Sequence, residues 1–193
     1  MLLFGCASKY RPVNPRDIVY GTKAEKSDVD LYYRYDVMSS QNNVKQIAKE
    51  LRKDIKIVAI KIYNNTPRSI IVGKNARFYA DGKELSPMAT DDVKKEMKQS
   101  IPSYLPYLLL SPIKFSYDKD NGNKTVEIFG GAIIGGALAA GNVYKAAKAN
   151  NKLKKELDDY SLWNKEILPG ETVYGIIGLQ KTGYVALELK LVN

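Results

Sequence analysis

No histidine occurs anywhere in the chain, and cysteine and tryptophan occur once each. The first absence removes the side chain that ordinarily titrates between about pH 5 and 8, and with it the usual proton shuttle and the commonest metal ligand. One cysteine excludes an internal disulfide and a cysteine-rich zinc site. Neither a metal nor a cofactor is expected. Carboxylates are the scarcer charge: Lys and Arg total 30 against 21 Asp and Glu, a net charge of +9. Such a surplus favours anionic surfaces such as lipid headgroups, although an AT-rich coding bias explains plentiful Lys, Asn, Ile and Tyr equally well. Nucleic acid is not an expected partner, because basic and acidic residues interleave and no reading motif is present.

The only cysteine is the sixth residue, in the stretch MLLFGCASKYRP. Leu3-Phe4-Gly5-Cys6 resembles the lipobox of bacterial lipoproteins, in which an aliphatic residue, a small or apolar one and Gly, Ala or Ser precede the cysteine. Phe4 departs mildly from the usual small residue. In that family the signal peptide is cut before the cysteine, which becomes the acylated first residue. A secretory signal needs a basic start and an apolar stretch of about 7–15 residues. Only Met1 to Gly5 precede Cys6, so the expectation is a start site assigned too late, with the rest encoded upstream. Residues 1–15 then divide into a signal remnant, the lipidation site Cys6, and a polar, proline-containing tether from Ala7 to Pro15. Acyl chains on Cys6 imply attachment to a membrane, since two or more give stable anchoring. The competing reading is a free thiol on a cytoplasmic protein.

From residue 16 onward the pattern is that of one domain. Val29, Leu31, Tyr33, Tyr35 and Val37 alternate along Asp28 to Met38, the period of a half-buried strand. Val44, Ile47, Ala48 and Leu51 then fall at helical spacing and predict a short amphipathic helix. Ile55 to Pro67 is rich in β-branched residues and closes on an Asn-Asn-Thr-Pro turn. Ser69 to Gly73 and Ala76 to Ala80 read as strands, and Asp81-Gly82 as a tight turn before Glu84-Leu85. Thr90 is placed to cap a helix carrying Asp91 and Asp92 in its first turn, with Val93 and Met97 inward. Ile101 to Ile113 is uncharged and broken by prolines, and a hairpin is expected to turn near Asn121-Gly122. The stretch from Phe129 to Tyr160 is a helix in two halves, the second carrying Ala146, Ala149, Leu153, Leu157 and Tyr160 as a stripe. After Pro169-Gly170 come two closing strands, the last with Val185, Leu187, Leu189 and Leu191 inward.

Strands at both ends of a helical middle predict a mainly β, α+β chain: an antiparallel sandwich with an insertion over about residues 86–165. The segments VAIKIYNNT, LPGETVYGIIGL and YVALELKL resemble immunoglobulin-like domains of envelope lipoproteins of the Bacteroidetes type. That resemblance covers the strands and, more loosely, the inserted helices. It implies a location, the outer membrane of the cell envelope, and a fold, but no activity.

The first half of the long helix is made of small residues. Gly131, Gly135 and Ala139 form one row at four-residue spacing, and Ala132, Gly136 and Ala140 form the next, so another backbone can approach closely. The uncharged run from Ile128 to Tyr144 would be roughly 25 Å long, at the short limit for spanning a bilayer. A helix buried against the sandwich or the Ile101–Ile113 segment, a helix on or in the bilayer, and a glycine zipper assembling several copies all fit the pattern.

Motifs that resemble catalytic signatures fail on context. Ser111 to Lys114 matches S-x-x-K and Lys181 to Gly183 matches K-T-G of penicillin-binding proteins and β-lactamases. Pro112 leads into a strand where that chemistry needs a helix, and Lys181-Thr182-Gly183 reads as a turn. Asp118 to Asn123 is a poor calcium loop, with its glycine one place early and Phe129 where a glutamate is required. The pairs Asp91/Asp92 and Asp158/Asp159 point about 100° apart on helices and read as solvated faces. The sequence therefore predicts a lipid-anchored, non-catalytic envelope protein with a protein partner. The alternatives are a membrane-active glycine-zipper oligomer and a cell-wall glycan binder or enzyme.

Overall fold

The computed structural model describes residues 6–101, 114–115, 128–180 and 183–192, with 114–115 and 128–139 in backbone only. Two compact units are formed, one by Met1–Lys9 with Gln99–Asn150 and one by Tyr10–Lys98 with Asn151–Asn193. In chain order the elements are β1 (Thr22–Lys23), β2 (Asp30–Arg34), α1 (Val37–Ser40), α2 (Val44–Lys53), β3 (Ile55–Tyr63), β4 (Ile70–Ile71), β5 (Ala76–Ala80) and β6 (Lys83–Leu85). There follow α3 (Thr90–Met97), β7 (Lys114–Phe115), β8 (Ile128–Phe129), α4 (Gly130–Asp159), β9 (Glu166–Ile167), β10 (Thr172–Gln180) and β11 (Leu187–Leu191). The fold is mixed α+β and mainly β, with its sheets antiparallel.

In the second unit, β3 is the axis of a sheet ordered β1-β2-β3-β10. Its β-branched residues pair with β10 over the full nine-residue length, from Thr172 opposite Tyr63 to Gln180 opposite Ile55. A second sheet is ordered β11-β5-β6. Asp81 and Gly82 both take positive φ (53° and 75°) at the β5–β6 turn, as the tight hairpin requires. The sheets share one core, to which β2 and β3 contribute Leu31, Tyr33, Val58, Ile60 and Ile62, β10 contributes Val173, Ile177 and Leu179, and the other sheet contributes Phe78, Leu187 and Leu189. Each of these aliphatic side chains stabilises the fold by about 2 kcal/mol on burial. Gly175 has no room for a side chain, because a Cβ there would fall inside Leu162. The opposite face of β3 carries Ile55, Ile57 and Ala59, also buried, with α1 and α2 against it and α3 against β10.

Strand positions agree with the sequence pattern, the two closing strands β10 and β11 falling in different sheets; four local expectations do not survive. The strand over Asp28 to Met38 ends early: Asp36 takes φ 57°, and Val37 and Met38 begin α1 instead. Thr90 is the first helical residue of α3 and not its cap; Ala89 stands at the cap, and the Thr90 hydroxyl lies 3.0 Å from Ser161 Oγ. Helix α2 is turned the other way round from the usual amphipathic helix. Val44 and Leu51 are 62% and 71% exposed and Ala48 is exposed, while Gln46 and Glu50 are buried. The tether is the fourth correction, because Tyr10, Val13 and Pro15 are buried and the chain is docked from Tyr10 onward.

The unit formed by residues 1–9 and 99–150 contains the β7–β8 pairing and the first two thirds of α4. That pairing fits the expected hairpin, whose turn lies outside the described residues. Within this unit Ala7 and Ala146 are buried together with Ile101 and Val143 beside them, and Ala7 N–H donates to Asn142 Oδ1. In the second unit, Leu153 and Leu157 of α4 are buried, as their stripe predicts. Among the described residues no helix is long and apolar enough to cross a membrane.

Candidate functional site

Tyr10 is fully buried, so its hydroxyl must find an acceptor. It donates to Glu156 Oε2, and the other oxygen of Glu156 accepts the Val13 and Asn14 amides at 2.5 and 2.9 Å. Burial pushes the Glu156 carboxyl above its ordinary range against the opposing pull of those three donors. Burial, and then the neighbouring Glu156 charge, push the Tyr10 phenol up as well. The proton therefore stays on Tyr10, and the carboxylate acts as an acceptor for a segment that has no strand partner.

A second clasp sits at the start of α2. Asn43 is fully buried, and its side chain accepts the Arg11 amide and donates to the Arg11 carbonyl, both at 2.8 Å. Asn14 is also held, accepting the Tyr160 hydroxyl at 2.7 Å. The basic groups of this segment, Lys9, Arg11 and Arg16, stay exposed. Beneath α2, Glu50 accepts the Ile57 amide at 2.8 Å and Gln46 donates to the Met97 carbonyl at 3.4 Å. Burial raises the Glu50 carboxyl to about 7 despite that hydrogen bond and the nearby Lys56.

On the sheets, a groove of 620 Å³ is lined by Tyr33, Tyr35, Asp36 and Tyr184 among others. Tyr35 stands edge-on to both Tyr33 and Tyr184, at 5.9 and 5.2 Å between ring centres. The Tyr184 hydroxyl reaches Asp36 at 2.8 Å, and Lys56 lies over its ring. Burial holds the Tyr35 phenol up at about 12, so it donates hydrogen bonds at neutral pH and is no base. Register places a further row, Lys23, Tyr32, Lys61 and Tyr174, across β1, β2, β3 and β10, with lysine ammonium groups over the Tyr32 ring. These surfaces suit binding better than proton transfer.

The residues singled out from sequence are scattered. Cys6 is exposed at the start of the described chain. Gly131, Gly135, Gly136 and Ala139 lie in the helical backbone of α4, with side chains outside the description, and Ala140 is exposed. Ser111, Lys181 and the Asp118 to Asn123 loop lie outside the described residues, and Lys114 is in strand β7. Asp91 and Asp158 both pair with Lys94, and Asp159 pairs with Lys155, as expected of solvated faces. Among the described residues no group of three or more His, Cys, Asp or Glu is gathered as for a metal. Sequence reasoning missed Tyr10, Asn43 and Glu156, whose roles depend on partners 32 to 146 residues away. No protein-family model matches the chain, and neither a curated protein nor a solved structure matches it.

Proposed function

We propose that this is a lipid-anchored, non-catalytic protein of the cell envelope, acylated on Cys6 at the outer membrane and presenting its sandwich to a protein partner. The observation that carries the reading is an exposed cysteine behind Leu3-Phe4-Gly5, followed within four residues by a docked chain. Four residues span at most about 14 Å, so acyl chains on Cys6 would hold the folded chain close against the bilayer. Exposed Lys9, Arg11 and Arg16 would then meet the headgroups. Each buried CH₂ contributes about 0.8 kcal/mol, so two or more chains outweigh any single protein contact.

The finer fold assignment belongs to the same proposal. The order β2-β3-β10 beside β11-β5-β6 supports an immunoglobulin-like sandwich, with β3 and β10 as the B and E strands and β5 and β11 as C and F. A second reading, assembly through the small-residue rows, draws on Ala140 being exposed and on Gly141 having nothing within 4 Å of where a Cβ would stand. Cys6→Ala should move the natively expressed protein from the membrane to the soluble fraction, and mass spectrometry of the parent should find an acylated terminus. An unmodified thiol in soluble material would refute the anchor. Gly135→Leu should leave the oligomeric state unchanged on the leading reading and abolish oligomers on the second.

A further inference from the structure

We infer that α2 is a second, protein-borne contact with the bilayer, its outward stripe Val44, Ile47, Ala48 and Leu51 entering the headgroup region of an anionic membrane. Helices normally turn aliphatic residues inward. This one exposes Val44, Ala48 and Leu51, leaves Ile47 half-buried, and buries Gln46 and Glu50 on its far side.

The rotation is fixed. Glu50 accepts the Ile57 amide, Gln46 reaches the Met97 carbonyl, Lys49 Nζ donates to the Glu96 carbonyl at 3.1 Å, and Asn43 clasps Arg11. Turning the stripe inward would orphan all of these groups. The aliphatic face is therefore a permanent surface of the fold.

Its surroundings select the occupant. Helix α2 carries Lys45, Lys49, Arg52 and Lys53, and Lys56 follows it; Lys53 is paired with Glu96 of α3 at 3.0 Å and Lys49 donates to the Glu96 carbonyl. Its only acid, Glu50, faces inward, leaving Asp54 at the C-cap as the one exposed carboxylate there. Apolar residues bordered by cations suit an anionic lipid interface. A second copy is a poorer fit: four small or medium side chains offer on the order of 300 Å², well short of the about 800 Å² per partner of a stable dimer. The stripe also lacks the Trp or Tyr anchors that dominate protein interfaces.

The test uses the full chain bearing Cys6→Ser, which cannot be acylated, so it is independent of the anchor proposed above. Vesicles of phosphatidylcholine containing about a third phosphatidylglycerol are sedimented with the protein and compared with pure phosphatidylcholine. The expected result is binding to the anionic vesicles, weakened about tenfold or more by Leu51→Glu and less by Leu51→Gln. The melting temperature should be unchanged, because residue 51 is exposed. Absence of binding by the Cys6→Ser chain, or equal binding by Leu51→Glu, overturns the inference. So does a dimer in sedimentation equilibrium that Leu51→Glu dissociates, which would make a second copy the occupant. Failure of acylation on Cys6, by contrast, leaves this result standing.

Discussion

Replacing Glu50 by Gln should stabilise the protein above neutral pH. Glu50 lies on the buried face of α2, 7% exposed, and its carboxyl is raised from 4.5 to about 7, chiefly by burial and in small part by Asp36. The Ile57 amide and Lys56 oppose the shift without cancelling it. A carboxyl that binds its proton more tightly in the folded chain favours folding below the unfolded value and loses that advantage as pH rises through the folded value. The window therefore runs from about pH 4.5 to about pH 7. Across it the penalty grows to about 3 kcal/mol, a large share of a typical domain's stability.

Glutamine keeps a carbonyl oxygen to accept the Ile57 amide and never carries charge. Urea unfolding followed by far-UV circular dichroism at about pH 5 and about pH 8 separates the outcomes. The parent should lose about 2–3 kcal/mol between the two, and Glu50→Gln should be flatter and about 2 kcal/mol more stable at the higher pH. Glu156 is also raised and adds a slope of the same sign to both proteins, so the difference between them isolates Glu50. The Asp91 and Glu96 carboxyls, lowered first by hydrogen bonds from Lys94 and Lys53, titrate below this window. Equal stability of parent and variant at pH 8, or an undiminished slope in the variant, would refute the reasoning.

Asn43→Ala should free the N-terminal segment, since it removes both hydrogen bonds to Arg11 from a fully buried side chain. Trypsin cleavage after Lys9 should then accelerate several-fold, and an unchanged rate would show the clasp to be inert. Gly175→Ala should cost about 1–3 kcal/mol, because Leu162 occupies the space a methyl group needs. The urea midpoint reads that loss, and an unchanged m-value separates it from a change in the unfolded state.

The strands were legible because burial on a sheet repeats every second residue. Leu31 and Tyr33, and then Leu187 and Leu189, announce their inward faces directly, whereas β3, buried on both faces, was legible as a run of β-branched residues. The positive-φ turn at Asp81-Gly82 was legible for a similar local reason. What failed depended on distant partners. Periodicity located the aliphatic stripe of α2 but carried no information on which side the sheet would take. Tyr10 and Val13 sit among polar residues and prolines, and their burial rests on Glu156 far along the chain. Of the proposed acylation and small-residue sites, the residues were read from the sequence, and the structure adds the exposure of Cys6 and Ala140.

These failures share a cause. Asn43, Gln46, Glu50 and Glu156 are buried polar side chains that each serve a backbone group: Arg11, the Met97 carbonyl, the Ile57 amide, and the amides of Val13 and Asn14. Those backbone groups belong to a docked segment, a helix end and a strand start, where no ladder or helical partner is at hand, so a side chain takes its place. Docking the N-terminal segment and turning α2 outward are therefore one arrangement. Rolling α2 to hide Leu51 would carry Asn43 away from Arg11 and strand Glu50 from Ile57, at a cost of about 1–3 kcal/mol per abandoned group. Four such groups, on Asn43, Gln46, Lys49 and Glu50, would be abandoned together, whereas exposing one leucine and one valine costs about 2 kcal/mol each. The outward stripe is thus the less costly solution in water as well as at a membrane, which is why a surface suited to lipid stands ready before any lipid arrives.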